Sequence, residues 1–242
     1  MKTCALVEII FLCYNMAEVE NMKLLINALI KYLAGLLTVG LLLFPAAGTL
    51  VWFNAWLFIG LLFLPMLILG LVLYLKAPAL LEKRLNSREK QKQQKAVVFV
   101  SFVMFVGGFV LAGLDYRFGW SDMPGWLVAG AALLLLLSYG LYAEVMRENA
   151  YLSRTVELQQ GQKLVDTGLY GIVRHPMYAV TIVLFLSIPL ILGSWFSFAM
   201  FMLYPAAIVL RIKNEEEVLE VGLAGYSEYK NKVKYRLLPG IW

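Results

Sequence analysis

Six stretches of this chain contain no Asp, Glu, Lys, Arg or His: Tyr32–Val51, Leu57–Leu75, Ala96–Leu114, Trp126–Ala143, Met177–Leu192 and Trp195–Leu210. An apolar run of about 18 residues or more can cross a bilayer as a helix, because each residue adds about 1.5 Å and the hydrocarbon core is about 30 Å thick. The first four runs meet that length. The last two have 16 residues each and reach only about 24 Å. That last pair either thins the bilayer around it or forms a shallower hairpin packed against protein. The composition agrees, at 61% hydrophobic and 15% charged, against roughly 45–50% and about 25% in soluble domains. The expected fold is all-α: a polytopic transmembrane helical bundle of about six spans in three hairpins, with a cytoplasmic C-terminal helical cap. Three regions follow: an N-terminal segment over 1–31, four spans over 32–143, and over 144–242 the last hairpin with a polar tail that holds the candidate chemistry.

Charge sets the expected orientation. Of the 21 Lys and Arg residues, all but Arg117 fall in the segments 1–31, 76–95, 144–176 and 211–242. These segments alternate with the apolar pairs so that they share one side of the membrane. The positive-inside rule makes that side cytoplasmic, with both termini there, in the plasma (inner) membrane if the host is prokaryotic. Trp52, Trp56, Trp120, Trp126 and Trp195 lie at the opposite ends of the spans, as an interfacial aromatic belt would. The basic surplus therefore reads as topology and attraction to anionic lipid rather than nucleic-acid binding. None of the six apolar runs holds an ionisable group of the kind that lines transport paths.

Cys4 and Cys13 suggest neither a disulfide framework nor a metal site. Glu8 interrupts the first apolar stretch, so residues 1–22 do not read as a signal peptide. They read either as a short interfacial helix or as an extension upstream of a natural start at Met22.

Two polar clusters flank the last hairpin. The first contains the one histidine of the chain, in Gly168-Leu169-Tyr170-Gly171-Ile172-Val173-Arg174-His175-Pro176-Met177-Tyr178. Pro176 suits the first turn of a helix, where a missing N–H costs nothing. Arg174 and the free N–H groups of that turn suit an anion. Alternatively, Arg174 snorkels to lipid phosphate and His175 only caps the helix. The second cluster is Arg211-Ile212-Lys213-Asn214-Glu215-Glu216-Glu217. It reads either as a solvated helix extension, with Glu215 paired to Arg211 at i, i+4, or as an acidic head. If the hairpin closes tightly, Arg174/His175 and Glu215/Glu216 meet across a pocket suited to a zwitterion. A helix over Glu215–Val221 should end at Gly222 and Gly225. Gly107-Gly108 lies inside a span and suits close helix approach.

At these clusters the sequence resembles the isoprenylcysteine carboxyl methyltransferase family of integral membrane enzymes. The resemblance covers about the last 100 residues. It takes in Glu148-Asn149-Ala150-Tyr151-Leu152, Thr167-Gly168-Leu169-Tyr170, Val173–Tyr178, Arg211–Leu219, Tyr226, Tyr229 and Tyr235-Arg236-Leu237-Leu238-Pro239. Where that family often has Gly, two residues after the second Tyr of the motif, this chain has Val180. The resemblance implies S-adenosylmethionine as methyl donor, with no metal, in a cytoplasm-facing pocket. It implies Tyr170, Arg174, His175, Pro176, Tyr178, Glu215 and Glu216 as cofactor-binding residues. Arg174, His175 and Glu216 would be the catalytic set, and Asn149, Tyr226, Tyr229 and Arg236 would close the pocket or guide the substrate.

The implied reaction is methyl transfer to a lipophilic acceptor, most closely the carboxylate of an S-prenylcysteine. The partners it implies are the bilayer and a lipophilic small-molecule or prenylated substrate. A phospholipid N-methyltransferase is the nearest variant. An NADPH-dependent enzyme like the sterol reductases and a non-catalytic membrane scaffold are the readings of other classes.

Overall fold

The computed structural model describes residues 2–86, 92–152, 158–159 and 161–242. Among the described residues there are nine α-helices and no strand. They are α1 (Lys2–Ala47), α2 (Phe53–Lys76), α3 (Pro78–Leu85), α4 (Lys92–Phe118), α5 (Gly125–Glu148), α6 (Pro176–Leu192), α7 (Trp195–Phe201), α8 (Leu203–Gly222) and α9 (Tyr226–Lys232). A 3-10 turn covers Gly168–Gly171. Five segments are long and apolar enough to cross a membrane: Val19–Ala47, Phe53–Lys76, Gln94–Phe118, Gly125–Glu148 and the α7–α8 arm, Trp195–Gly222. The all-helical, polytopic expectation holds.

Its details differ in four ways. First, α6 has only 17 residues, about 26 Å, while α7 and α8 run together for 28. The last hairpin is therefore lopsided, with one arm continuing well past its apolar stretch. Second, α1 is unbroken from Lys2 to Ala47, and the candidate span within it begins at Val19, ahead of the apolar run that starts at Tyr32. Third, α4 and α5 do not pair as a hairpin. The main contacts of α4 are with α1, α7 and α8, and those of α5 are with α6. Fourth, Trp52 is buried and stacks on Tyr116, centroids 4.7 Å apart. It is a core residue, whereas Trp56, Trp120, Trp126 and Trp195 are exposed.

Close packing explains the first partnership of α4. In a bilayer, apolar side chains gain little by leaving lipid, so helices associate through tight contact. A Cβ on Gly113 would come within 2.6 Å of Ala46 Cβ and 2.7 Å of the Leu43 carbonyl oxygen. A Cβ on Gly108 would strike Phe201, and one on Gly107 would strike Met200. One glycine thus admits α1, and the Gly107-Gly108 pair admits α7. Phe105 then sets edge-on contacts with Phe185 and Phe201.

At one end of the bundle the three short connectors meet. Asp115 is buried at the end of α4 and accepts from the Ser121 amide (2.7 Å), the Ser121 hydroxyl (2.6 Å) and the Ser194 hydroxyl (2.5 Å). Tyr116 donates to the Val51 carbonyl at 2.9 Å. Gly193, at φ +82, ends α6, and Ser194 caps α7 by accepting from the Ser197 amide. At the other end lie α3, the 3-10 turn, α9 and the tail. There Lys31 donates to the Leu85 carbonyl (2.6 Å). The Arg174 and His175 amides donate to the Tyr235 and Arg236 carbonyls, at 3.0 and 2.9 Å. Lys31, Arg174 and Arg236 of the basic segments thus lie at one end, and Arg117 lies beside Gly48 at the other.

Gly113→Ala is expected to lower stability by about 1–3 kcal/mol, because backbone atoms cannot yield to the new methyl group. Thermal unfolding in detergent measures this. Gly130→Ala, where a Cβ meets nothing within 4 Å, serves as the control.

Candidate functional site

Glu216 is the structural centre of this end. It projects from α8 with only 4% of its side chain exposed. Its Oε1 accepts from Arg174 Nε at 2.7 Å and lies 3.2 Å from His175 Nε2. Its Oε2 accepts from Arg236 Nε at 2.9 Å. A carboxylate can only accept, so His175 carries a proton on Nε2 in this arrangement. Arg174 uses Nη1 to donate to the Val233 and Lys234 carbonyls at 2.7 and 2.8 Å, which holds the chain where it leaves α9. Arg236 lies over the Trp242 ring at 4.9 Å. One carboxylate thereby joins the start of α6, the polar end of α8 and the tail.

This geometry decides between the two readings of Arg174. It is buried and ion-paired, so it does not snorkel to lipid. His175 precedes α6 without a side-chain cap. Arg174 and Glu216 also do not face each other across an open gap, as the sequence suggested. They are in direct contact, because two opposite charges taken out of water need each other more than they need a distant ligand.

The opening lies beside this clamp. A cleft, open on one side, lies between the segment before the 3-10 turn, the start of α6, α8 and α9, with about 880 Å³ of empty space counted out into open solvent. Asn149, Tyr170, Arg174, His175, Tyr178, Glu215, Tyr226 and Tyr229 all line it. Glu216, Pro176 and Arg236 are not on its wall. Glu216 and Arg236 form the clamp behind it, and Pro176 is buried in the first turn of α6. The alternation of adjacent acids explains the difference: neighbouring residues on a helix point about 100° apart, so Glu215 reaches the cleft while Glu216 turns inward.

The polar wall is held in place by a small set of bonds. Tyr178 donates to Glu215 Oε2 at 2.5 Å and accepts from Arg211 Nε at 2.9 Å. The tyrosine thus stands between Arg211 and Glu215. Asn149 Oδ1 accepts from the Tyr151 amide at 2.9 Å and its Nδ2 donates to the Tyr170 hydroxyl at 3.0 Å. Tyr229 donates to the Tyr170 carbonyl at 2.7 Å. Gly168, at φ +55, lets the Glu148 carboxylate pass where a Cβ would sit and accept from the Leu169 amide at 2.9 Å.

Opposite lies an apolar wall that the sequence did not single out. Leu219 and Leu223 continue the Glu215 face at i+4 and i+8, and Leu164 joins them from the other side. Their helical spacing was available in the sequence, but leucine in so apolar a chain carries no signal. Tyr226 packs against this wall and is 97% buried, and its hydroxyl has no hydrogen-bond partner. Burial raises the hydroxyls of Tyr170, Tyr226 and Tyr229 above the ordinary phenol range, with Glu216 and Glu215 adding to the rise at Tyr226. All three therefore keep their protons at neutral pH and are unsuited to act as bases. Val180, the departure from the family pattern, is buried in α6.

Comparison with known proteins fits this arrangement. Residues 126–222 match the model of the phospholipid methyltransferase family, integral membrane methyltransferases related to the isoprenylcysteine carboxyl methyltransferases. The match takes in α5 to α8, and with them Tyr170–Tyr178 and Glu215/Glu216. Over 96 residues the chain is also 29% identical to the uncharacterized protein YpbQ of Bacillus subtilis (strain 168), covering 39% of this chain and 57% of that protein. The chain thus spans a little over half the length of this relative.

Glu216→Ala should cost about 3–5 kcal/mol, since it leaves Arg174 buried and uncompensated. Glu215→Ala should cost less than about 1 kcal/mol, as it removes a half-buried group beside an open cleft. Thermal unfolding of the two variants in detergent, without ligand, measures the contrast.

Proposed function

We propose that the cleft binds S-adenosylmethionine and that the protein transfers its methyl group to a lipophilic acceptor. The closest acceptor is the carboxylate of an S-prenylcysteine or a similar small lipophilic acid. The observation that carries this reading is the division of the cleft. One end is charged and hydrogen-bonded, around Glu215, Tyr178 and His175. The other is apolar and aromatic, with a single unsatisfied donor at Tyr226. An amino-acid zwitterion joined to a flat, weakly polar purine has this same division. The Glu215 carboxylate suits the ammonium, His175 and Arg174 lie where the carboxylate would be met, and the Tyr226 hydroxyl would donate to a ring nitrogen.

When bound, the sulfonium supplies an activated methyl group, so the protein need only align the acceptor and exclude water. The acceptor preference follows from what Glu216 can do. An amine must lose a proton to attack, which calls for a base. Glu216 has its oxygens engaged by Arg174, His175 and Arg236, which makes it a poor one. A carboxylate acceptor needs no base. Phospholipid N-methylation stays as the second reading because the matched family carries that name. In that case Glu215 is the remaining carboxylate on the cleft wall. Orientation follows the basic residues, which put the cleft on the cytoplasmic side.

Purified protein should be stabilised by S-adenosylhomocysteine by about 2.7 kcal/mol at 100 times Kd, and not by NADPH. Glu215→Gln should weaken this binding about ten- to hundredfold and Tyr226→Phe about two- to tenfold, the ranges for charged and neutral hydrogen bonds. Labelled S-adenosylmethionine with a prenylcysteine analogue, compared with membrane lipid extract, reads the acceptor. Stabilisation by NADPH alone, or by neither ligand, removes the methyltransferase reading.

A further inference from the structure

Gln94 opens the α4 span and lies outside residues 126–222, the stretch that matches the methyltransferase family. It is completely buried. An amide in that position is costly unless both its polar atoms are paired. Here Arg211 pairs with both. Arg211 Nη1 donates to Gln94 Oε1 at 3.1 Å, and Gln94 Nε2 donates to the Arg211 carbonyl at 3.3 Å. Gln94 therefore holds both the side chain and the backbone of one residue on α8.

The direction of the next bonds follows from donor chemistry. A guanidinium only donates, so Arg211 Nε gives its proton to the Tyr178 hydroxyl at 2.9 Å. That hydroxyl, already accepting there, points its own proton at Glu215 Oε2, 2.5 Å away. Gln94, Arg211, Tyr178 and Glu215 thus form one chain in which each orientation dictates the next. It runs from the first turn of α4 to the cleft wall.

We propose that Gln94 is a positioning residue for the cleft, acting through Arg211 and Tyr178 to aim the Glu215 carboxylate at the ammonium of the bound ligand. The inference rests on the reading of the cleft as an S-adenosylmethionine site. It brings α4 into the machinery of a site whose other walls come from the C-terminal half. The Tyr178 bond fixes Oε2 and turns Oε1 towards the ligand. With Gln94 shortened, Arg211 loses two of its anchors and Tyr178 can rotate its proton away. Glu215 then keeps its charge but not its aim.

The test is a two-way cycle on binding. Titration calorimetry of the full-length protein in detergent compares S-adenosylhomocysteine with its analogue lacking the amino group, in wild type and in Gln94→Ala. Wild type should prefer the amino ligand by about tenfold or more, the worth of a charged hydrogen bond. In Gln94→Ala that preference should shrink to less than about threefold, while the deaminated ligand binds nearly as in wild type. Gln94→Asn, one methylene too short to reach, gives the same readout if the alanine variant does not fold. Tyr178→Phe, which cuts the chain at its last bond, should also shrink the preference. A merely structural role for Gln94 would weaken both ligands alike. An unchanged preference in the variants overturns this inference and leaves the cofactor site standing. Failure of wild type to bind S-adenosylhomocysteine overturns both.

Discussion

The contact of Glu216 with Arg174, His175 and Arg236 determines whether the site exists at all. Burying an ion pair is costly, and it holds only when the remaining lone pairs and protons are also satisfied. Here the condition is met from several directions: Arg174 also binds the Val233 and Lys234 carbonyls just beyond α9, and Arg236 lies over Trp242. The backbone bonds from residues 174 and 175 to 235 and 236 add a second seam along the same line. Without the carboxylate, the start of α6 and the tail would keep this backbone seam but lose their common tie to α8, and the cleft between α8 and α9 would lose its rear wall.

A membrane helix hairpin explains why the clamp lies where it does. The spans must satisfy their backbone groups internally, so charged groups can gather only beyond the hydrocarbon. α8 achieves this by length. Its first turns are apolar and pack into the bundle, and its last turns carry Glu215, Glu216 and Glu217 away from the apolar region. α6 is shorter and begins where the cleft begins, with Pro176 in its first turn. The lopsided hairpin thus places the polar part of α8 beside the N-terminus of α6. Two equal arms would have ended at the same level and left the acids without facing partners. At the opposite end Asp115 gathers the connectors, so both ends of the bundle are tied by a buried carboxylate.

Much of this was legible in the residues themselves. Apolar runs gave the spans because hydropathy is a local property. The Arg174-His175-Pro176 and Glu215-Glu216 clusters stood out because charge beside a span is rare. Pairing was not legible. That α4 leans on α1 and α7 depends on where Gly113, Gly107 and Gly108 meet Ala46, Met200 and Phe201, and no periodicity reports such a match. The division of labour between Glu215 and Glu216 was equally hidden, since helix rotation, not composition, decides which one turns inward. The burial of Gln94 was hidden as well, because flanking lysines dominate the local pattern while tertiary contact with Arg211 buries it.

The neighbouring acids also bear on how such a site can change its substrate without losing its fold. Glu216 is tied to three residues, and any substitution there is felt across α6, α8 and the tail together. Glu215 touches Tyr178 and the cleft, so its surroundings can vary at lower cost. The apolar wall of Leu164, Leu219 and Leu223 is freer still, because volume-conserving exchanges among aliphatic residues cost little. Stability is therefore concentrated behind the cleft, and on the proposed reading recognition belongs to its front. Selection on the acceptor would act on the front wall, and the clamp would constrain only where that wall stands.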